Sequence, residues 1–147
     1  MPPRYVRAHS TKRHSALASA ICLGVRHSGS SSAGLATTNA AHLARVPLDI
    51  IGDGPERALL EARAARGSGV RLLGRLDDAQ VRERYRTAAA VLLPGEEDFG
   101  IVPVEANASG RPVIAYGRGG ARDSVVDGKT GLFYYDHTAD GLIDAIR

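Results

Sequence analysis

Three consecutive acids, Glu96, Glu97 and Asp98, precede Phe99-Gly100-Ile101, and a fourth acid, Glu105, follows eight residues after Glu97. An apolar run at 89–93 comes just before this stretch and another at 112–116 just after it. The pattern reads as strand, polar loop, short helix, strand. In open α/β sheets ligands bind beyond the carboxyl ends of the strands, where such loops lie. A helix starting near Ile101 or Val102 offers unpaired N–H groups and a partial positive charge, which suit a phosphate. Pro103 fits its first turn, where a missing N–H costs nothing. Glu97 in the loop and Glu105 about one turn into the helix can face one crevice. Ionised carboxylates only accept hydrogen bonds. Two of them flanking bare N–H donors suit a ligand with several hydroxyls and a phosphate, a combination found in nucleotide-sugars. Spacing alone leaves a second reading open, in which the acids favour the helix dipole and Glu105 is solvated.

The elements around this stretch alternate. Residues 48–52 read as a buried strand that turns at Gly52-Asp53-Gly54-Pro55, and 55–65 as a helix with Leu59, Leu60 and Ala64 inward. An Arg57–Glu61 pair sits at i,i+4 on that helix. Residues 70–73 are the next strand, followed by Gly74-Arg75-Leu76, and Asp77 or Asp78 caps a helix over 79–88. Arg82, Arg84 and Arg86 are spaced two apart, so we expect a solvated surface and not one patch. After the strand at 112–116, Gly117-Arg118-Gly119-Gly120 lets the backbone approach a ligand closely. Asp127 to Gly131 is a turn, 131–135 a strand, and Thr138 caps a last helix over 139–147 that reads as cut short. Alternating strands and helices predict an α/β, doubly wound parallel sheet of Rossmann-like type.

Glu97-x7-Glu105, with Phe99-Gly100 inside and Ala106 to Ala115 after it, resembles the signature of retaining GT-B glycosyltransferases of family 4. The resemblance runs through Gly119-Gly120, Val126-Asp127-Gly128 and Thr130-Gly131-Leu132, and reaches back to Ile51-Gly52-Asp53-Gly54-Pro55-Glu56. It covers about residues 47–147. Pro94 to Glu105 is most similar to bacterial mannosyltransferases that use GDP-mannose in O-antigen or exopolysaccharide assembly. The resemblance implies the C-terminal, donor-binding half of a GT-B fold, with GDP-mannose or a UDP-sugar as substrate, no cofactor and no tightly bound metal. Glu97 would be the catalytic carboxylate, bonded to the sugar's hydroxyls, and Glu105 would accept from the ribose. Phe99, Gly100 and Ile101 would turn backbone N–H groups to sugar and phosphate. Gly74, Arg75 and Leu76 would line the base, and Gly119 and Gly120 the sugar and diphosphate. The partners implied are the nucleotide-sugar, a glycan or lipid-linked acceptor and a separate N-terminal acceptor-binding domain. The expected location is cytoplasmic, including the inner membrane face. A non-catalytic nucleotide-binding module and a two-carboxylate hydrolase are the rival classes. His137 is read as a surface residue and not as part of a triad.

Composition separates the first third from the rest. Residues 1–48 hold six Lys or Arg and no acid, whereas 49–147 hold thirteen Lys or Arg against all sixteen acids. The net charge of +3 is thus a property of the N-terminal segment and argues for no nucleic-acid partner. One cysteine, Cys22, excludes an internal disulfide. No run of 18 apolar residues suggests a transmembrane helix, and the short apolar stretch at 15–25 lacks a cleavage site. Residues 12–25 read as a helix rich in Ala and Leu, and 29–34 as a Gly/Ser breaker. We therefore expect 1–45 to be an atypical, poorly ordered basic segment, with a transit-type segment or out-of-frame sequence as other readings. The donor-binding domain is expected over 46–147. The family's first strand and its Gly-Arg…Lys phosphate loop find no match in residues 1–45.

Overall fold

The structure, a computed structural model, describes residues 20–23, 31–66, 69–96 and 101–147. Its centre is a six-stranded sheet: β1 (Ala20–Leu23), β2 (Leu48–Ile51), β3 (Val70–Gly74), β4 (Ala90–Leu93), β5 (Val113–Tyr116) and β6 (Gly131–Tyr134). The spatial order is β3-β2-β1-β4-β5-β6, and every neighbouring pair is parallel. The order reverses between β1 and β4, which makes their carboxyl ends the topological switch point. Between the strands run α1 (Ser31–Ala44), α2 (Arg57–Ala64), α3 (Asp78–Thr87), α4 (Ile101–Ala108) and the single turn α5 (Ala121–Ser124). The last helix is α6 (Ala139–Ile146).

Side-chain alternation along each strand divides the core in two. Leu48 and Ile50 of β2, Leu92 of β4, and Ile114 and Tyr116 of β5 face one way, onto Ala40 and Ala41 of α1 and Leu142 and Ile143 of α6. Val91 and Leu93, with Val113 and Ala115, face the other way, onto Tyr85 of α3, Ala106 of α4 and Ala121 of α5. With both faces covered, β4 and β5 are unbroken apolar runs, while β2 and β3 are apolar but for the cross-strand pair Asp49 and Arg71. β2 to β6 accordingly fall within a residue or two of the runs seen in the sequence.

Residues 20–44 differ from expectation. Ala20–Leu23, inside the stretch read as a helix, is a central strand, pairing with β2 on one side (Ala20 with Leu48) and β4 on the other (Ala20 with Ala90). Ser31–Ala44 forms a helix through Gly34, where a breaker was expected. The boundary expected at residue 46 is therefore displaced, since a first strand is present and α1 covers the sheet beside α6. Packing accounts for it: Ala40 and Ala41 are 0% and 1% exposed, and helix stability in proteins comes mainly from such a packed face. Residues 1–19 and 24–30, within the segment where the Gly-Arg…Lys motif found no match, lie outside the described residues.

Candidate functional site

Because all six strands are parallel, the loops that follow them share one edge of the sheet. The described segments there are Gly52 to Glu56 after β2, Arg75 to Asp77 after β3, Pro94 to Glu96 after β4, Gly117 to Gly120 after β5 and Tyr135 to Thr138 after β6. Gly74, Arg75, Leu76, Ile101, Glu105, Gly119 and Gly120 all belong to this edge or to the helix rising from it. Glu97, Phe99 and Gly100 lie outside the described residues.

α4 runs over Ile101–Ala108, where the spacing predicts a helix, and Ile101 is exposed while Pro103 is buried. The N–H groups of a first turn have no partner within their own helix, so α4 turns a partial positive charge toward the loop after β4. Glu105 sits in the second turn and is exposed. Its Oε2 accepts a hydrogen bond of 3.0 Å from the Tyr85 hydroxyl. Tyr85 belongs to α3 and is 2% exposed. The carboxylate is therefore anchored and not merely solvated, and it points to the face shared by α3 and α4.

α3 is itself fixed at both ends. Asp77 forms a capping box with Gln80: Asp77 Oδ1 accepts from the Gln80 N–H at 2.8 Å, and Gln80 Oε1 accepts from the Asp77 N–H at 3.0 Å. At the other end Arg84 Nη1 lies 3.4 Å from Asp49 Oδ2. Asp49 is buried in β2, and its cross-strand partner Arg71 donates to both oxygens, at 2.7 and 2.9 Å. This corrects the reading of the α3 arginines as solvated surface. Arg82 and Arg86 are exposed, but Arg84 lies over a buried carboxylate. Asp49 is the one polar residue of β2, and the reading of that strand as buried rested on its neighbours Leu48, Ile50 and Ile51.

At the β3 end Gly74 has φ +68°, a conformation that only glycine adopts without strain. A Cβ there would lie 3.0 Å from Arg57 Nη1. The Gly74 carbonyl accepts from the Gly52 N–H at 2.8 Å, tying the loops after β2 and β3 together. Arg57 pairs with Glu61 at 2.7 Å and more loosely with Asp53 at 3.7 Å. The hydrogen bond to Glu61, ahead of the charge of Asp53, holds the guanidinium even more firmly protonated than usual. Arg75 is exposed, whereas Leu76 is half-buried and packs with Ile51, Leu73 and Ala88.

At the β5 and β6 ends Gly119 is exposed with φ +65°, and Gly120 is the buried N-cap of α5. Pro94, which opens the central loop, is held through its carbonyl. Tyr134 donates to it at 3.2 Å, and His137 Nε2 lies 2.9 Å away as a second donor. The His137 ring stacks on Tyr116, with centroids 4.3 Å apart. His137 is on the surface, as expected, but it also fastens the loop, through a contact spanning 43 residues that no local pattern announces. Among the described residues, no group of three or more His, Cys, Asp or Glu is placed to hold a metal ion.

The family model of the glycosyl transferases group 1 matches residues 31–147, and the chain belongs to that family. Its sheet is the Rossmann-like C-terminal half of a GT-B fold. The crystal structure of Anabaena HepE in complex with UDP and glucose superposes with a TM-score of 0.70 at 25% identity, over 88% of this chain and 38% of that one. A glycogen synthase from Thermus thermophilus is 37% identical over 95 residues, covering 63% of this chain and 22% of the relative. Phosphatidyl-myo-inositol mannosyltransferase from Mycolicibacterium smegmatis is 36% identical over 103 residues, covering 69% of this chain and 27% of the relative. The chain thus spans about a quarter of the length of the curated relatives it matches.

Proposed function

We propose that this chain is the donor-binding part of a retaining glycosyltransferase. It would take a sugar from a nucleoside-diphosphate sugar and pass it to a glycan or lipid-linked acceptor held by a separate N-terminal domain. The anchored Glu105, on the helix that rises from the switch point, carries this reading. Glu105 accepts from the ribose hydroxyls, and Glu97 accepts from hydroxyls of the transferred sugar. The N–H groups of Phe99, Gly100 and Ile101 meet the phosphate and sugar. Gly119 and Gly120 let the backbone approach the diphosphate, and the backbone of Gly74, Arg75 and Leu76 flanks the base. When the bond from the sugar's anomeric carbon to the diphosphate breaks, negative charge grows on the leaving oxygens. Preorganised N–H donors and a helix N-terminus stabilise that charge, at about 3–4 kcal/mol for each well-placed donor, so the scheme calls for no tightly bound metal.

The relatives support the nucleotide-sugar. HepE was crystallised with UDP and glucose, and the M. smegmatis relative is named a mannosyltransferase. Within this reading we favour mannose from GDP-mannose, on the resemblance of residues 94–105, and a cytoplasmic site of action at the inner membrane face. The test is calorimetric titration of the purified chain with GDP, UDP and GDP-mannose, with Glu105→Ala as control. A hydrogen bond to a charged group contributes about 1.5–3 kcal/mol, so the variant should bind about 10- to 100-fold more weakly. A cooperatively folded chain that binds none of the three would refute the proposal.

A further inference from the structure

We infer that Tyr85 is a positioning residue of the donor site, fixing the Glu105 carboxylate for a ribose diol. The inference rests on the reading of Glu105 as the ribose acceptor. Glu105 is an exposed residue on a two-turn helix, and a side chain of that length is otherwise free to rotate in water. Tyr85 is among the largest fully buried side chains, and its ring packs with Val91, Leu93 and Ala106. The ring cannot swing without opening the core between the sheet, α3 and α4. Its hydroxyl is therefore a fixed donor, delivered to Glu105 Oε2 at 3.0 Å from a helix twenty residues earlier in the chain. The capping box at Asp77 and the reach of Arg84 to buried Asp49 hold α3 in turn.

A carboxylate has about four lone-pair sites on its two oxygens. The phenol occupies one of them and leaves Oε1 to accept from a ligand. The phenol acts here as a donor, so the carboxylate's remaining lone pairs stay open to the hydroxyls of a diol. Ordering the acceptor before the ligand arrives removes that cost from binding.

The experiment compares the full chain with Tyr85→Phe, which keeps the ring and removes only the hydroxyl. Affinities are measured for GDP and UDP and for their 2′,3′-dideoxy analogues. We expect Tyr85→Phe to weaken the ribonucleotides about tenfold and the dideoxy analogues less than twofold, with Glu105→Ala showing the same split. Equal weakening of both series would mean that Tyr85 is merely structural and would overturn the inference. So would a Tyr85→Phe chain that binds like the parent while Glu105→Ala is impaired, an outcome that leaves the donor-site reading standing. A parent chain that binds no nucleotide removes the donor-site reading and this inference with it. If Tyr85→Phe does not unfold cooperatively, Glu105→Asp draws the carboxylate back from the phenol in an unaltered core. It should show the same ribose-dependent loss, and a variant indistinguishable from the parent would overturn the inference.

Discussion

The pairing of Asp49 with Arg71 makes an asymmetric prediction. Asp49 has a side chain 3% exposed, while Arg71 and Arg84 keep 58% and 39% of theirs in water. Replacing Arg71 by Met removes the bidentate contact at 2.7 and 2.9 Å and leaves a buried carboxylate facing only Arg84 at 3.4 Å. Stranding one partner of a buried pair costs about 3–5 kcal/mol. The remaining arginine puts Arg71→Met at the low end, about 3 kcal/mol. Replacing Asp49 by Asn leaves two arginines that hydrate, so its cost is the ordinary one of a lost hydrogen bond, about 1–1.5 kcal/mol. Urea is the denaturant to use, because guanidinium is a salt and screens the pair. With a slope of about 2 kcal/mol/M, Arg71→Met should lower the urea midpoint by about 1.5 M and Asp49→Asn by about half of that. The double variant Asp49→Leu/Arg71→Met should recover most of the loss, since an apolar pair often replaces a buried ion pair at no net cost. If Asp49→Asn proves as costly as Arg71→Met, or the two sites are additive, the arginine is not what makes the buried carboxylate tolerable.

Two further outcomes follow from the geometry. A Cβ at Gly131 would lie 2.1 Å from the Val113 carbonyl oxygen of β5, whereas one at Gly95 meets nothing within 4 Å. Gly131→Ala should therefore cost about 3 kcal/mol and Gly95→Ala less than about 0.5 kcal/mol in the same urea assay, and equal costs would refute the packing argument. Removing both donors to the Pro94 carbonyl, with Tyr134→Phe and His137→Ala, should raise amide exchange at Gly95 and Glu96 by about tenfold. Unchanged exchange would mean that the loop is held by other contacts.

What the sequence reveals here depends on how far apart the interacting residues lie. The cap of α3, read as Asp77 or Asp78, and the Thr138 cap depend on neighbours within four residues, and both were legible. β4 and β5 were legible because both their faces are buried, which leaves an unbroken apolar run. β1 was not, because four residues within an Ala- and Leu-rich stretch fit a buried strand and a helical turn equally. α1 was missed because Gly34 and its serines argue against a helix locally, while Ala40 and Ala41 are placed by the sheet and α6. The turn at α5 was missed altogether. At the site, the position of Glu105 was readable from its spacing. Its anchor Tyr85, the Arg84 contact with Asp49 and the His137 contact with Pro94 span 20, 35 and 43 residues, and no periodicity links them.

The place of β1 in the sheet bears on how the chain is made. As the polypeptide emerges from its N-terminus, Ala20–Leu23 can pair with β2 once residue 51 has appeared, but its other edge waits for β4. Ala20 meets Ala90, so that edge stays open while about seventy more residues are synthesised, at some 5–20 residues per second for roughly 4–14 seconds. An unpaired strand edge is a template for pairing with another chain. The nascent domain is thus most prone to self-association in the interval before β4 closes the centre of the sheet, and a chaperone that acts in that interval would protect it most.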